Sequence, residues 1–119
     1  MITNALKKAI ATHIKNNLDT AKVGVGGNST SPASTDLDVD ASGTPTIQVI
    51  NSSENIIEAK VTVSGSAITG KVLRELGLFK TTSTGPPVER EMWARFNFSG
   101  IGPFTSTEVV EFFVVMEVE

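Results

Sequence analysis

The 119 residues read as a mainly β chain, an antiparallel β-sandwich or small barrel with one N-terminal amphipathic helix and a long polar arm. Apolar residues recur at every second position over residues 56–63 and again from residue 109 to the end, which is the period of a half-buried strand. A period of four occurs only before residue 22, and a Gly/Ser/Thr/Asp-rich stretch separates the two regimes. A chain of this length forms one domain with one core. Within it, residues 1–22 are expected to be the helix, 23–46 an arm or loop, and 47–119 the β core.

Thr3 is placed to cap the helix, and Leu6, Ile10, Ile14 and Leu18 follow at four-residue spacing while Lys7, Lys8, Lys15 and Asn16 fall elsewhere. So narrow an apolar stripe must be covered by the domain's own sheet or by a neighbouring subunit. Between Gly26 and Thr46 the only sizeable apolar side chains are Leu37 and Val39. Unstructured stretches of about 20 residues are uncommon inside a compact domain, so an arm reaching to a neighbour is expected. Protease resistance of the segment in the isolated monomer would count against that.

Beyond Thr46, Ile57, Ala59, Val61 and Val63 alternate with Glu58, Lys60 and Thr62. Leu73–Phe79 and Met92–Phe98 flank a Thr/Ser/Gly/Pro connection containing Gly85-Pro86-Pro87, the pattern of a hairpin. Strict alternation in its second limb would put Met92, Ala94, Phe96 and Phe98 on one face and Trp93, Arg95 and Asn97 on the other. The last strand sets Val110, Phe112, Val114, Met116 and Val118 against a mixed face that includes Phe113 and Val115, which also needs cover.

Composition removes several kinds of chemistry. A net charge of −3 offers no basic face for a phosphate backbone, so nucleic acid is not an expected partner. Zero cysteines and a single histidine preclude disulfides, thiol nucleophiles and a multi-histidine zinc site within one chain. No apolar run approaches the roughly 20 residues of a transmembrane helix, and the start lacks the pattern of a secretory leader, so synthesis in a cytoplasm and no membrane partner are expected.

Five features suggest chemistry and each departs from what that chemistry needs. Gly65-Ser66-Ala67-Ile68-Thr69-Gly70-Lys71 matches a phosphate-binding loop until Val72, where a magnesium-holding hydroxyl belongs, and a strand pattern follows where a helix is required. Gly24-x-Gly26-Gly27 has Ser29 at the last glycine of a dinucleotide fingerprint and follows a helix instead of a strand. Asp36, Asp38 and Asp40 alternate as in a calcium loop, but Ala41 and Ile47 replace its glycine and its bidentate Glu, leaving a looser calcium site or an acidic surface stretch. His13 has no acid or second His nearby, and Glu89 and Glu91 flank Arg90 as a solvated run would. No catalytic residue, metal site or cofactor is expected, and the chain is read as non-enzymatic.

Trp93 and Arg95 have the composition of an interface hot spot, unless Trp93 packs against the helix. Phe104, between Pro103 and Thr105, plugs a loop or meets a partner. With Leu6, Ile10, Ile14 and Leu18 these three are the candidate interface residues.

Five segments in order carry a family likeness over residues 23–119: Val23-Gly24-Val25-Gly26-Gly27, Ser34-Thr35-Asp36-Leu37-Asp38, Arg74-Glu75-Leu76-Gly77-Leu78-Phe79, Ala94-Arg95-Phe96-Asn97-Phe98, and Glu108 to Glu119. Together they resemble small virion structural proteins and fibre-attachment domains of tailed viruses, bacteriophage or archaeal. That resemblance implies a self-associating tail, baseplate or fibre-attachment component, located in the virion after synthesis in the host cytoplasm, with other virion proteins as partners. A capsid decoration protein on the head is the alternative, and a carbohydrate-binding module on the same sandwich a second one.

Overall fold

The computed structural model describes residues 1–31, 34–41 and 43–119; Pro32, Ala33 and Ser42 of the polar segment, and the side chains of residues 51–53, lie outside the description. Helix α1 spans Asn4–Asn17, followed by strands β1 (Thr20–Gly24), β2 (Thr46–Ser53) and β3 (Ile56–Ser64). A 3-10 turn at Gly65–Ala67 leads to β4 (Leu73–Ser83), β5 (Glu89–Ile101) and β6 (Val109–Glu117). The strands form two three-stranded antiparallel sheets, ordered β1-β4-β5 and β2-β3-β6. No pairing joins the two sheets among the described residues, so the chain does not close into a barrel.

One apolar cluster draws on both sheets. Val23, Leu76 and Leu78 come from the first sheet, and Ala59, Val61, Val63 and Val114 from the second. Leu18, Ile68 and Phe104 fill it from outside the strands, each large side chain contributing about 1.5–3 kcal/mol by leaving water. On β3 the buried positions are Ile57, Ala59, Val61 and Val63, as their alternation predicts.

The helix is shorter than residues 1–22. Thr3 caps it through a 3.4 Å bond from the Leu6 amide, and at the other end the Asn17 side chain donates to the His13 carbonyl at 2.7 Å, a local bond that competes with the helical ladder. Leu18 is already extended, and residues 20–24 become a strand because Ala21 and Val23 enter the core while Thr20 and Lys22 do not. Alternation also breaks in the second limb of the hairpin. Leu78 pairs with Ala94 but Phe79 pairs with Met92, which leaves Trp93 as the extra residue of a β-bulge. Trp93 and Ala94 therefore both pack on the core cluster, while Met92 moves to the face that carries Gly77 and Phe79.

The polar segment folds back on its own chain instead of extending from it. Val25 donates to the Val39 carbonyl and Ala41 to that of Val23, both at 2.9 Å, and Gly24 and Asp40 form an antiparallel bridge. The segment thus lengthens the β1 edge and covers the outer face of β4, which is why Glu75, Gly77 and Phe79 are buried there as fully as Leu76 and Leu78 on the inner face.

Candidate functional site

The most constrained constellation is a buried carboxylate beneath the folded-back segment. Glu75 lies on the outer face of β4, is 0% exposed, and takes four hydrogen bonds. Its Oε2 accepts from the amides of Gly26 and Val39, both at 2.9 Å; its Oε1 accepts from the Asp38 amide at 2.8 Å and from Arg95 Nη2 at 2.6 Å. Arg95 reaches it from β5, where its backbone pairs with Gly77, two residues along from Glu75.

Arg95 then ties the surrounding segment together. Nη1 donates to the Asp36 carbonyl at 3.1 Å, Nη2 lies 3.4 Å from Asp38 Oδ1, and Nε meets Asn97 Oδ1 at 3.5 Å. Asp38 Oδ2 accepts from the amides of Asn28 and Ser29 at 2.7 and 2.8 Å, and Asn97 donates to the Ser29 carbonyl at 2.6 Å. The glycines make this approach possible. A Cβ on Gly24 would lie 2.4 Å from the Val39 carbonyl oxygen, and one on Gly26 2.7 Å from Glu75 Oε2.

The electrostatics follow from the donors. Burial pushes the Glu75 carboxyl up, but the amides of Val39 and Asp38, the Arg95 guanidinium and the Gly26 amide outweigh it and hold the group below its ordinary 4.5. The amides of Ser29 and Asn28, with a smaller contribution from Arg95, hold Asp38 below its ordinary 3.8 against its partial burial. Both carboxylates are ions with their lone pairs engaged. Such a node fixes backbone in place and has no proton to exchange near neutral pH.

The other candidate residues scatter. Leu18 and Phe104 are buried in the core cluster, Ile14 packs half-buried against it, Ile10 is half-buried and Leu6 exposed. Arg95 retains 9% of its side-chain exposure because Glu75 and Asp38 occupy it. Leu18 and Phe104 therefore pack in the interior of the chain, and Arg95 spends its guanidinium on Glu75 and Asp38 while lining the groove beside β5. Trp93 is half-buried: its ring stacks on His13 of α1 at 6.1 Å, and its indole N–H donates to Glu91 at 2.7 Å. The helix thus provides the packing that an isolated hot spot would lack.

The remaining motifs resolve locally. Lys71 donates to the Ala41 carbonyl, and the glycines around it bracket a 3-10 turn that leads into a strand, with no helix N-terminus to receive a phosphate. Asp36 pairs with Lys22 at 3.5 Å while Asp38 turns to the loop amides. Among the described residues, no group of three or more His, Asp or Glu side chains is placed to hold a metal, and no helix is long and apolar enough to cross a membrane.

Sequence reasoning did not find Glu75 as a buried anchor. The available signal was a charged residue inside Leu73–Phe79, on the face opposite Leu76 and Leu78, in a chain that also carries clustered glycines at 24, 26 and 27. No protein-family description matches this chain, and no curated protein matches it significantly.

Proposed function

We propose that this chain is a non-enzymatic, self-associating structural component of a tailed-virus particle, in the tail, baseplate or fibre-attachment region, and that its two sheets are the halves of a β-sandwich. One observation carries the reading. The first four segments of the resemblance are far apart in sequence, yet each contributes to a single node: Gly26 from the first, Asp38 from the second, Glu75 from the third, Arg95 and Asn97 from the fourth. Residue types that must coincide to build one buried ion pair are what a shared fold would preserve. The node gives rigidity to a β scaffold, and the surfaces around it do the work.

A carbohydrate-binding module has some support in the groove of about 500 Å³ beside β5, which brings Ser29, Ser31, Ser34, Asn97 and Trp93 together. It ranks lower because Trp93 already spends one ring face on His13 and its N–H on Glu91. A glycan array with strong, specific hits would reverse that order.

Gold-tagged antibody against the chain, applied to purified particles of the virus that encodes it and imaged by electron microscopy, tests the primary reading. Label at the neck, tail or baseplate is the expected result. Regular label over the head would make the chain a decoration protein, and no label on intact, opened or disassembled particles would remove the virion assignment.

A further inference from the structure

We propose that a second copy of this chain docks on the free edge of β6, antiparallel and two-fold symmetric about Phe113, so that two three-stranded sheets become one six-stranded sheet. The inference rests on the self-association part of the reading above and is independent of the virion part.

The longest edge strand of each sheet, β5 in one and β6 in the other, is built differently. β5 pairs with β4 through three register shifts and carries Glu89, Arg90, Glu91 and Arg95, devices that discourage pairing with another chain. β6 pairs with β3 over all nine residues, Val109–Glu117, with no shift, and contains neither proline nor lysine. No strand lies on its other side among the described residues. The space there is open: an apolar cleft of about 270 Å³ runs along this edge, with Phe96 and Phe98 of β5 facing Phe112 and Val114 of β6. The outer face of the strand exposes Val109 at 62%, Phe113 at 71% and Val115 at 64%. A straight, apolar, unprotected edge of this length is a template for one more strand.

The charge pattern of the strand selects a second copy and its register. Centred on Phe113, antiparallel self-pairing sets Val109 opposite the partner's Glu117, Glu111 opposite the partner's Val115, and Phe113 opposite its own counterpart. Val110 and Phe112 then meet the partner's Met116 and the partner's Val114 on the inner face, extending the apolar cleft. No two carboxylates oppose each other, and Glu111 is neutralised by Lys60 at 3.4 Å, whose ammonium also stands 6.0 Å from the Phe113 ring. A slip of two residues one way sets Glu117 opposite the partner's Glu111, and a slip the other way sets Phe113 opposite the partner's Glu111. Odd slips put the exposed face against the core face. Only the centred register pairs all nine residues with apolar matches on the inner face and no opposed charges.

Cysteine scanning tests this directly, because the chain has no cysteine of its own. The full chain is expected to be a dimer by light scattering. Phe113→Cys should form a disulfide-linked dimer under mild oxidation, since its two copies are directly opposite. Glu111→Cys or Val115→Cys alone should cross-link roughly tenfold less, their own copies being about 14 Å apart along the strands, beyond the reach of a disulfide. Mixed together, those two variants should cross-link as readily as Phe113→Cys. Phe113→Lys, at an exposed position that leaves the monomer's core intact, should convert the dimer to monomer without loss of its circular-dichroism spectrum. A monomer at all accessible concentrations would overturn both this inference and the self-association reading. An oligomer in which Phe113→Cys cross-links no faster than Glu111→Cys alone would overturn the β6 assignment and leave self-association standing.

Discussion

Glu75 shows how much one side chain can organise. Three backbone amides from the folded-back segment and one guanidinium end on its two oxygens, so its removal strands four donors at once. Glu75→Leu keeps the volume and is expected to lower unfolding free energy by about 3–5 kcal/mol, the cost typical of breaking a buried ion pair from one side. Denaturant titration measures the loss, and limited proteolysis should show new cleavage between residues 25 and 41. Arg95→Met should cost a similar amount, and the double variant clearly less than the sum, because the two residues share one interaction. A Glu75→Leu chain as stable and as protease-resistant as the parent would mean that the segment is held by something else. The participants were visible in the sequence as motif fragments. Their meeting was not, because Gly26 and Glu75 are 49 positions apart and Glu75 and Arg95 are 20 apart, and only strand register joins them.

At the level of elements, legibility followed regularity of pairing. β3 and β6 pair without interruption, and their apolar alternation matches the faces they present to the core. β5 carries bulges, and a single extra residue at Trp93 reversed the face of Met92, which no periodicity argument anticipates. β1 is only five residues long and begins two residues past Leu18, so the four-residue stripe masked the change of structure. That stripe is graded along the helix, from an exposed Leu6 to a buried Leu18. Leu18→Ala is therefore expected to destabilise the chain by about 2–5 kcal/mol through the cavity it leaves. Leu6→Ala should stay within about 0.5 kcal/mol, as surface changes do. Thermal or chemical denaturation of the two variants separates them. Equal and small losses would show that the helix end is not packed on the sheets.

For the molecule as a whole, the consequence of the node is a stability that depends on pH in one direction. The chain is elongated, 48 × 30 × 25 Å with a radius of gyration of 15.1 Å, against roughly 13.5 Å for a compact chain of this length. A slender body has less core per residue, so a buried ionic anchor carries a larger share of its cohesion. Glu75 and Asp38 both have folded-state pKa values below their ordinary 4.5 and 3.8. At neutral pH the folded and unfolded chains are both ionised at these groups and the stabilisation is present in full. As pH falls below about 4.5 the unfolded chain takes up protons first, so stability declines, and the contribution is gone once pH passes below the folded-state values. Glu108, held below its ordinary value by the Thr105 amide and side chain, contributes with the same sign. The melting temperature of the parent chain should therefore fall between about pH 5 and pH 3, more steeply than that of Glu75→Gln, which has no proton to take up at that site. Asp38 and Glu108 titrate in both proteins, so the difference in slope isolates Glu75. If the two slopes coincide across that window, the Glu75 carboxyl titrates alike in the folded and unfolded chains, and its ion pair with Arg95 adds no net stability that could hold Gly26, Asp38 and Val39 against β4.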